Sequence, residues 1–446
     1  MLCSTSRVWF ALLCCAACGK VGSSSGQLPD AAAGGAGDEQ TRGTVHVTVL
    51  DPAGTGNPAS NADVVFVDPG GAVHRVKTDL AGKASAEVAI GASLTTVVMT
   101  AGGNGPQYQL YTVLDTRPDD DITLGMKSAD TTTLGTFSIS FPALANAAFY
   151  SVSSPCGSLS VQATAGAAPS AGLPMLAECK QDTMELVIVA RDGNGAPLGS
   201  IDVPDVKVKI NGTFAVSGPY QGLVSLNASY ANVNPVITKL QVARFLPDEN
   251  GVVDAALASS INPTTVLGVT GGAAAKAHIL TTAGKSLTTT QLIHQDVPGN
   301  TVTYGFDLST KLLPWLALPT YDVDAHKIIV PIDTTGTSHD ATDLFQTGIR
   351  YSRTDANNTT AAFAWTVYGA SIADVTLPAL PDDLAALLPI GSDSLGTSGA
   401  VAFDAASVPG YDTVRQAPTA AIFNYTGGRL ADPNVRITRN VIFRPL

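Results

Sequence analysis

Thr44-Val45-His46-Val47-Thr48-Val49 alternates apolar and polar side chains with a period of two. Successive side chains of a strand point to opposite faces, so this spacing predicts a half-buried strand with the three valines inward and His46 toward solvent. Working outward, the same signature returns at 62–68, 73–78 and 84–90. Turn chemistry separates these runs, in Asp51-Pro-Ala-Gly-Thr-Gly-Asn-Pro58, Pro69-Gly70-Gly71 and Asp79-Leu-Ala-Gly82. Further strands are predicted at 136–142, 147–152, 184–192 and 206–210. A third group covers 223–227, 236–245, 276–281, 288–294 and 301–308, and a last one 327–332, 347–352, 361–368, 399–404 and 437–444. Helix is expected only over 252–260 and as a turn or two over 384–388, fenced by Pro381 and Pro389. The fold class is therefore all-β, as tandem β-sandwich domains of Ig-like or transthyretin-like kind.

Composition agrees with that class. Only 14% of the 446 residues are charged, which suits exported β-proteins better than proteins with long surface helices. The formal net charge is −12 and no three basic residues stand together, so the basic stripe that nucleic acid requires is absent. Past the leader, roughly 400 residues remain, enough for two to four domains with cores of their own.

The leader is Arg7-Val-Trp-Phe-Ala-Leu-Leu-Cys-Cys-Ala-Ala-Cys18-Gly19. A basic residue followed by a short apolar run and small residues is the layout of a secretory signal, too short for the about 20 residues that span a bilayer. Ala16-Ala17-Cys18 resembles the lipobox of bacterial lipoproteins, with Cys15 standing where Leu is usual. The resemblance implies cleavage before Cys18, acylation of Cys18 with fatty chains such as palmitate, and a membrane partner through that anchor. Cleavage after Cys14 and a plain secretory signal cut near Gly22 are the alternative readings. Residues 19–43 are small and polar, which suits a flexible tether. Gly19 is not the Asp that retains such lipoproteins in the inner membrane, so a Gram-negative host would place the chain in the outer membrane. Gly22-Ser23-Ser24-Ser25-Gly26 fits the serine-elbow pattern, but no strand precedes it and no helix follows.

Gly56, Pro58, Ala62-Asp-Val-Val and Thr78-Asp79-x-x-Gly82-Lys83 together resemble the carboxypeptidase regulatory-like β-sandwich domains, although Ala84 and Ala86 stand where an aromatic is frequent. That resemblance implies a scaffold without catalytic residues. Pro142, Tyr150 and Val152 resemble the spacing of a fibronectin type III domain. The resulting division is 1–17 signal, 18–43 tether, 44–125 regulatory-like sandwich, 131–211 fibronectin type III-like sandwich, 212–319 a β-rich unit and 320–446 a C-terminal β-sandwich.

Four of the six cysteines lie in the leader, leaving Cys156 and Cys179 in the body. Two body cysteines in an exported chain are most simply a disulfide, here closing a segment rich in Ala, Gly and Pro. Asp119-Asp120-Asp121 offers oxygens to a calcium ion, with a solvated turn as the preferred reading. His46 and His74 are read as solvent-facing strand residues, and Trp365, between Phe363 and Val367, as core. Asp322-Val-Asp324-Ala-His326 is the best chemical constellation. On a strand the three side chains share one face, where they become weak candidates for holding a metal or a water, with His339-Asp340 nearby. Ala283-Gly284-Lys285-Ser286 is no phosphate loop, because Ile279 stands where a Gly is required. No cofactor fingerprint occurs. The expected function is a non-catalytic cell-envelope lipoprotein presenting sandwiches for adhesion, ligand binding or envelope assembly, with a protein or carbohydrate ligand. The alternative is an exported hydrolase or metal-dependent enzyme using the Asp322 to His339 region.

Overall fold

The computed structural model describes residues 42–441 apart from 104, 127–131, 155, 178–181, 246–257, 260–263, 271–275, 287, 299–300, 302, 338–341 and 427–434. The chain begins with β1 (Arg42–Val49), β2 (Asp63–Val67), β3 (Val73–Lys77), β4 (Lys83–Ala89), β5 (Ala92–Gly102), β6 (Gly105–Thr116) and β7 (Asp121–Leu124). In β1 the valines are buried and His46 is exposed, as the period of two requires. One sheet runs β4-β1-β7, with β7 parallel to β1, and faces a second run β3-β2-β5-β6. The turn into β4 is built by Asp79, whose Oδ1 accepts from the amides of Ala81 and Lys83. Gly82 completes that turn at φ +72, where a Cβ would stand 2.5 Å from the Val49 carbonyl oxygen.

The next two stretches repeat this topology strand for strand. β8 (Thr133–Ser140), β9 (Phe149–Ser154), β10 (Gly157–Gln162), β11 (Ser170–Leu176), β12 (Thr183–Arg191), β13 (Pro197–Lys207) and β14 (Thr213–Ala215) form the sheets β11-β8-β14 and β10-β9-β12-β13. β15 (Leu223–Ala231), β16 (Lys239–Phe245), β17 (Ala258–Ser259), β18 (Thr264–Thr270), β19 (Lys276–Gly284), β20 (Thr289–Pro298) and β21 (Thr303–Asp307) form β18-β15-β21 and β17-β16-β19-β20. In each copy the first strand takes the fourth antiparallel on one side and the seventh parallel on the other. Residues 258–259 are thus strand where helix was expected, because they pair with Gln241 and Val242; residues 251–257 and 260 lie outside the described residues.

The last stretch holds β22 (Trp315–Leu316), β23 (Thr320–Asp322), β24 (Lys327–Ile329), β25 (Ile332–Asp333), β26 (Leu344–Thr354), β27 (Thr360–Gly369), β28 (Val375–Thr376), β29 (Ser394–Ala405), α1 (Tyr411–Val414), α2 (Pro418–Thr426) and β30 (Val435–Val441). A 3₁₀ turn, Ala385–Leu387, falls where a helical turn was expected. Its strands do not stand apart. β27 runs parallel to β6 from Ala362↔Gln107 to Tyr368↔Val113, and β30 runs antiparallel to β20 from Thr289↔Asn440 to Ile293↔Arg436. The order β30-β29-β26-β27 thereby joins the first and third modules in one twelve-stranded sheet.

The sixth strand of a module is its open edge, and only the middle module keeps that edge out of the long sheet. Pro197 and Pro204 lack the donor a ladder needs, and Asp205 sits at φ +55 beside a register shift against β12. Gln221 closes part of what remains, exchanging two backbone hydrogen bonds with Ser200.

Four main cores follow. Those of the middle and third modules lie between their own sheets. The long sheet carries a core on each face, one under β1, β4, β7 and the helices, the other under β24, β28 and the 3₁₀ turn. Trp315 belongs to the third module's core and Trp365 to the second of these. Trp365 Nε1 donates to Thr112 Oγ1 at 2.9 Å, and Thr112 shares a 2.9 Å contact with Thr95 Oγ1. The hydroxyls of Thr95 and Thr112, buried in the middle of the sheet, therefore have partners.

Candidate functional site

The Asp322 to His326 constellation does not share a strand face. Asp322 ends β23, while Asp324 and His326 belong to the turn before β24, with His326 at φ +47. Asp322 Oδ1 caps that turn by accepting from the amides of Asp324 and Ala325, and His326 Nδ1 lies 3.2 Å from the Tyr321 hydroxyl. The sequence spacing assumed a strand through His326; a four-residue turn breaks its alternation. Among the described residues no three His, Cys, Asp or Glu side chains stand together as metal ligands. His339 and Asp340 lie outside the described residues, as do Cys18 and Cys179. Cys156 is buried in the turn between β9 and β10.

The acidic run at 119–121 is not a wholly solvated turn. Asp120 is 4% exposed, accepts from the Arg117 amide at 2.7 Å and pairs with Arg415, whose Nε lies 2.8 Å from Oδ2. A cation 295 residues away takes the charge that a calcium ion or water would have met. His74 is half-buried and approaches Asp68 Oδ2 at 3.2 Å, with Arg42 on the same carboxylate at 2.8 Å.

Two open clefts flank Tyr108. The first, of about 490 Å³, is lined by Ala62, Val97, Met99, Tyr108, Leu384 and Leu387. Asp63 and Asp383 also line it, each paired with Arg75, at 2.7 Å and 2.6 Å, and with Asn61, Lys77 and Thr100 they make its wall a mixture of polar and apolar groups. Met99 is 64% exposed there. The second, of about 520 Å³, has a floor made by four neighbouring strands. Register puts Thr100, Gln107 and Ala362 in one row and Gln109, Ala364 and Arg350 in the next, all on one face. The loop Asp51 to Ala53 forms its wall.

The opposite face of the same strands is stiff. Tyr108 stacks on Phe363 at 5.1 Å and Phe363 on Tyr351 at 4.7 Å, and Arg353 sits 5.5 Å above the Phe363 ring. Asp393 holds Arg353 with contacts of 2.7 and 2.8 Å. Burial raises the Asp393 carboxyl, but Arg353 and the Ile390 amide outweigh it and hold the group below the usual carboxylate range. The same balance, burial against the Ala89 amide, Arg42 and His74, lowers Asp68. A carboxyl that titrates lower in the folded chain contributes stability that is fully present above the unfolded value of about 3.9 and is lost as pH falls through the folded value. Thermal melts should therefore be level between about pH 7 and pH 5 and drop steeply below about pH 4. Asp393→Asn should lower the plateau and flatten the drop; a melting temperature indifferent to acid would contradict this account.

Sequence reading missed this cleft. Gln107 and Gln109 carry no motif, and Arg350 was one residue of an ordinary strand; the only available signal was polar residues recurring on the outward face.

No protein-family model and no curated protein matches the chain. Among solved structures it is similar to a putative adhesin from Bacteroides ovatus at 11% identity, covering 41% of this chain and 95% of that one with a TM-score of 0.15. It is similar to a calcium-stabilised adhesin with which an Antarctic bacterium binds ice at 13% identity, covering 81% and 94% with a TM-score of 0.12. It is also similar to the major pilin subunit of Bacillus cereus at 9% identity, covering 60% and 98% with a TM-score of 0.14. At these TM-scores the likenesses carry no weight for function, and the clefts beside Tyr108 are the candidate site that the chain's own geometry offers.

Proposed function

We propose that this chain is a non-catalytic cell-envelope lipoprotein, anchored through Cys18 and tethered by residues 19–43, whose β-modules present a ligand-binding surface for adhesion or envelope assembly. The observation that supports it most is the union of the first and third sandwich modules in one sheet, which holds the clefts beside Tyr108 on a stiff platform. Rigid placement suits binding, since a ligand then meets side chains already in position. A disulfide between Cys156 and Cys179 belongs to the same proposal and would close one loop around β10 and β11, which lie between the two cysteines.

Mass spectrometry of the membrane fraction tests both covalent features. The expected result is an acylated N-terminal peptide beginning at Cys18, together with a cross-linked peptide joining Cys156 and Cys179 that separates on reduction. An unacylated mature protein starting elsewhere overturns the anchor. Alkylation of both thiols in the native exported protein overturns the bridge.

A further inference from the structure

We propose that the trough between Gln107, Gln109 and Arg350 is a binding site for an acidic saccharide chain, with Arg350 taking the carboxylate of a uronic acid. The inference rests on the binding role proposed above and adds the chemical class of the ligand.

Three observations carry it. The first is shape. Ala362 and Ala364 on β27 lie between the glutamines of β6 and Arg350 of β26. Neighbouring strands are about 4.8 Å apart, so two polar ridges stand about 10 Å apart over a floor of methyl groups. That is a channel for an extended, flat-faced chain. The second is the donor and acceptor set. A carboxamide both donates and accepts, as a sugar hydroxyl does, and the two glutamines, about 7 Å apart in successive rows, can meet hydroxyls of neighbouring sugar units. An extended peptide is the poorer match, because it binds by pairing with an open strand edge. Here β5, β6, β27 and β26 are each paired on both sides, so their backbone groups are spent.

The third is charge. Arg42, Arg75, Arg117, Arg353, Arg415 and Arg436 each pair with a carboxylate. Arg350 is exposed and has no acid partner among the described residues. Asp51 in the wall does not neutralise it, since its carboxylate is turned into its own loop, accepting from the Ala53 amide at 2.9 Å and the Thr55 hydroxyl at 3.4 Å. A planar guanidinium free at the side of a channel is suited to a carboxylate. A single cation on a chain of net charge −12 is not suited to the dense charge of a nucleic acid.

The test is calorimetric titration of the full-length protein with an oligomer of galacturonic acid, against a neutral cello-oligosaccharide of equal length. The uronate oligomer should bind and weaken as salt is raised. Arg350→Gln should weaken it by about tenfold or more, the scale of a lost charge-assisted hydrogen bond, and Ala364→Leu should abolish binding by filling the channel. Both variants should keep the parent's circular dichroism and melting temperature, which separates a lost site from a lost fold. No heat with the uronate, equal affinity in Arg350→Gln, or equal binding of the neutral sugar overturns the proposal. Saccharide binding without an acylated Cys18 would remove the anchor and leave this site standing, and the converse would remove only the ligand class.

Discussion

Asp120→Ala should destabilise the body by about 3 kcal/mol, the lower end of the range for stripping one partner from a buried ion pair. Asp120 precedes β7 and Arg415 follows α1, and their side chains are 6% and 3% exposed. Arg415 Nη2 donates to Oδ1 at 2.9 Å. Removing the carboxylate leaves a buried guanidinium and also orphans the Arg117 amide, which donates to Oδ2. The loss stays at the lower end because Arg415 keeps Asp412 at 2.6 Å, a partner that is itself 57% exposed. Chemical denaturation measures the difference. The double variant Asp120→Ala, Arg415→Met should recover much of it, since the cost lies mostly in the stranded charge. A single-variant loss under about 1 kcal/mol would show the pair to be a bystander.

Trp365→Ala should cost about 3–5 kcal/mol, as truncations of large buried aromatics do. The side chain is 1% exposed and shares its core with Val65, Val97 and Leu110, which belong to β2, β5 and β6. Its indole donates to Thr112 on the strand that pairs with its own. The cavity would therefore open along the β6 to β27 seam, so the effect should be local as well as global. Hydrogen exchange should accelerate over 107–113 and 362–368 while residues 184–190 of the middle module keep their protection. Uniform acceleration, or none, would contradict that placement.

Many individual strands were legible where one face is wet, although β10 and β11 also alternate and were hidden by their Ser, Gly, Ala and Pro content. β1 alternates because His46 sees water and Val45, Val47 and Val49 do not. β5 and β6 went unnamed because Thr95 to Val98 and Leu110 to Val113 are buried on both faces, which erases the period of two. The triple repeat was invisible for a related reason. Topology is a matter of which strands pair, and unrelated side chains in 44–125, 131–211 and 212–319 satisfy the same pairing. The joining of distant modules was hidden further still, since nothing near Gln107 indicates Ala362 as its neighbour. Among candidate sites, the acidic run was conspicuous and misleading, because local sequence shows three carboxylates and not the arginine 295 residues on. Arg350 was inconspicuous and informative, for the mirror reason that its lack of a partner is a property of the folded surroundings.

The parallel pairing of β27 with β6 has a consequence for the order in which the chain is made. A ribosome or export channel delivers the first module about 250 residues before the strand that covers its edge, and synthesis at about 5–20 residues per second turns that gap into a wait of roughly ten to fifty seconds. During that interval β6 and, later, β20 are unpaired borders of otherwise finished sandwiches, the condition under which chains cross-associate. Maturation then depends on the last segment to emerge, which must find two borders made long before it. Contacts of such long sequence separation form slowly. A chaperone that shields open strand borders would act on this chain between the completion of its first module and the arrival of β30.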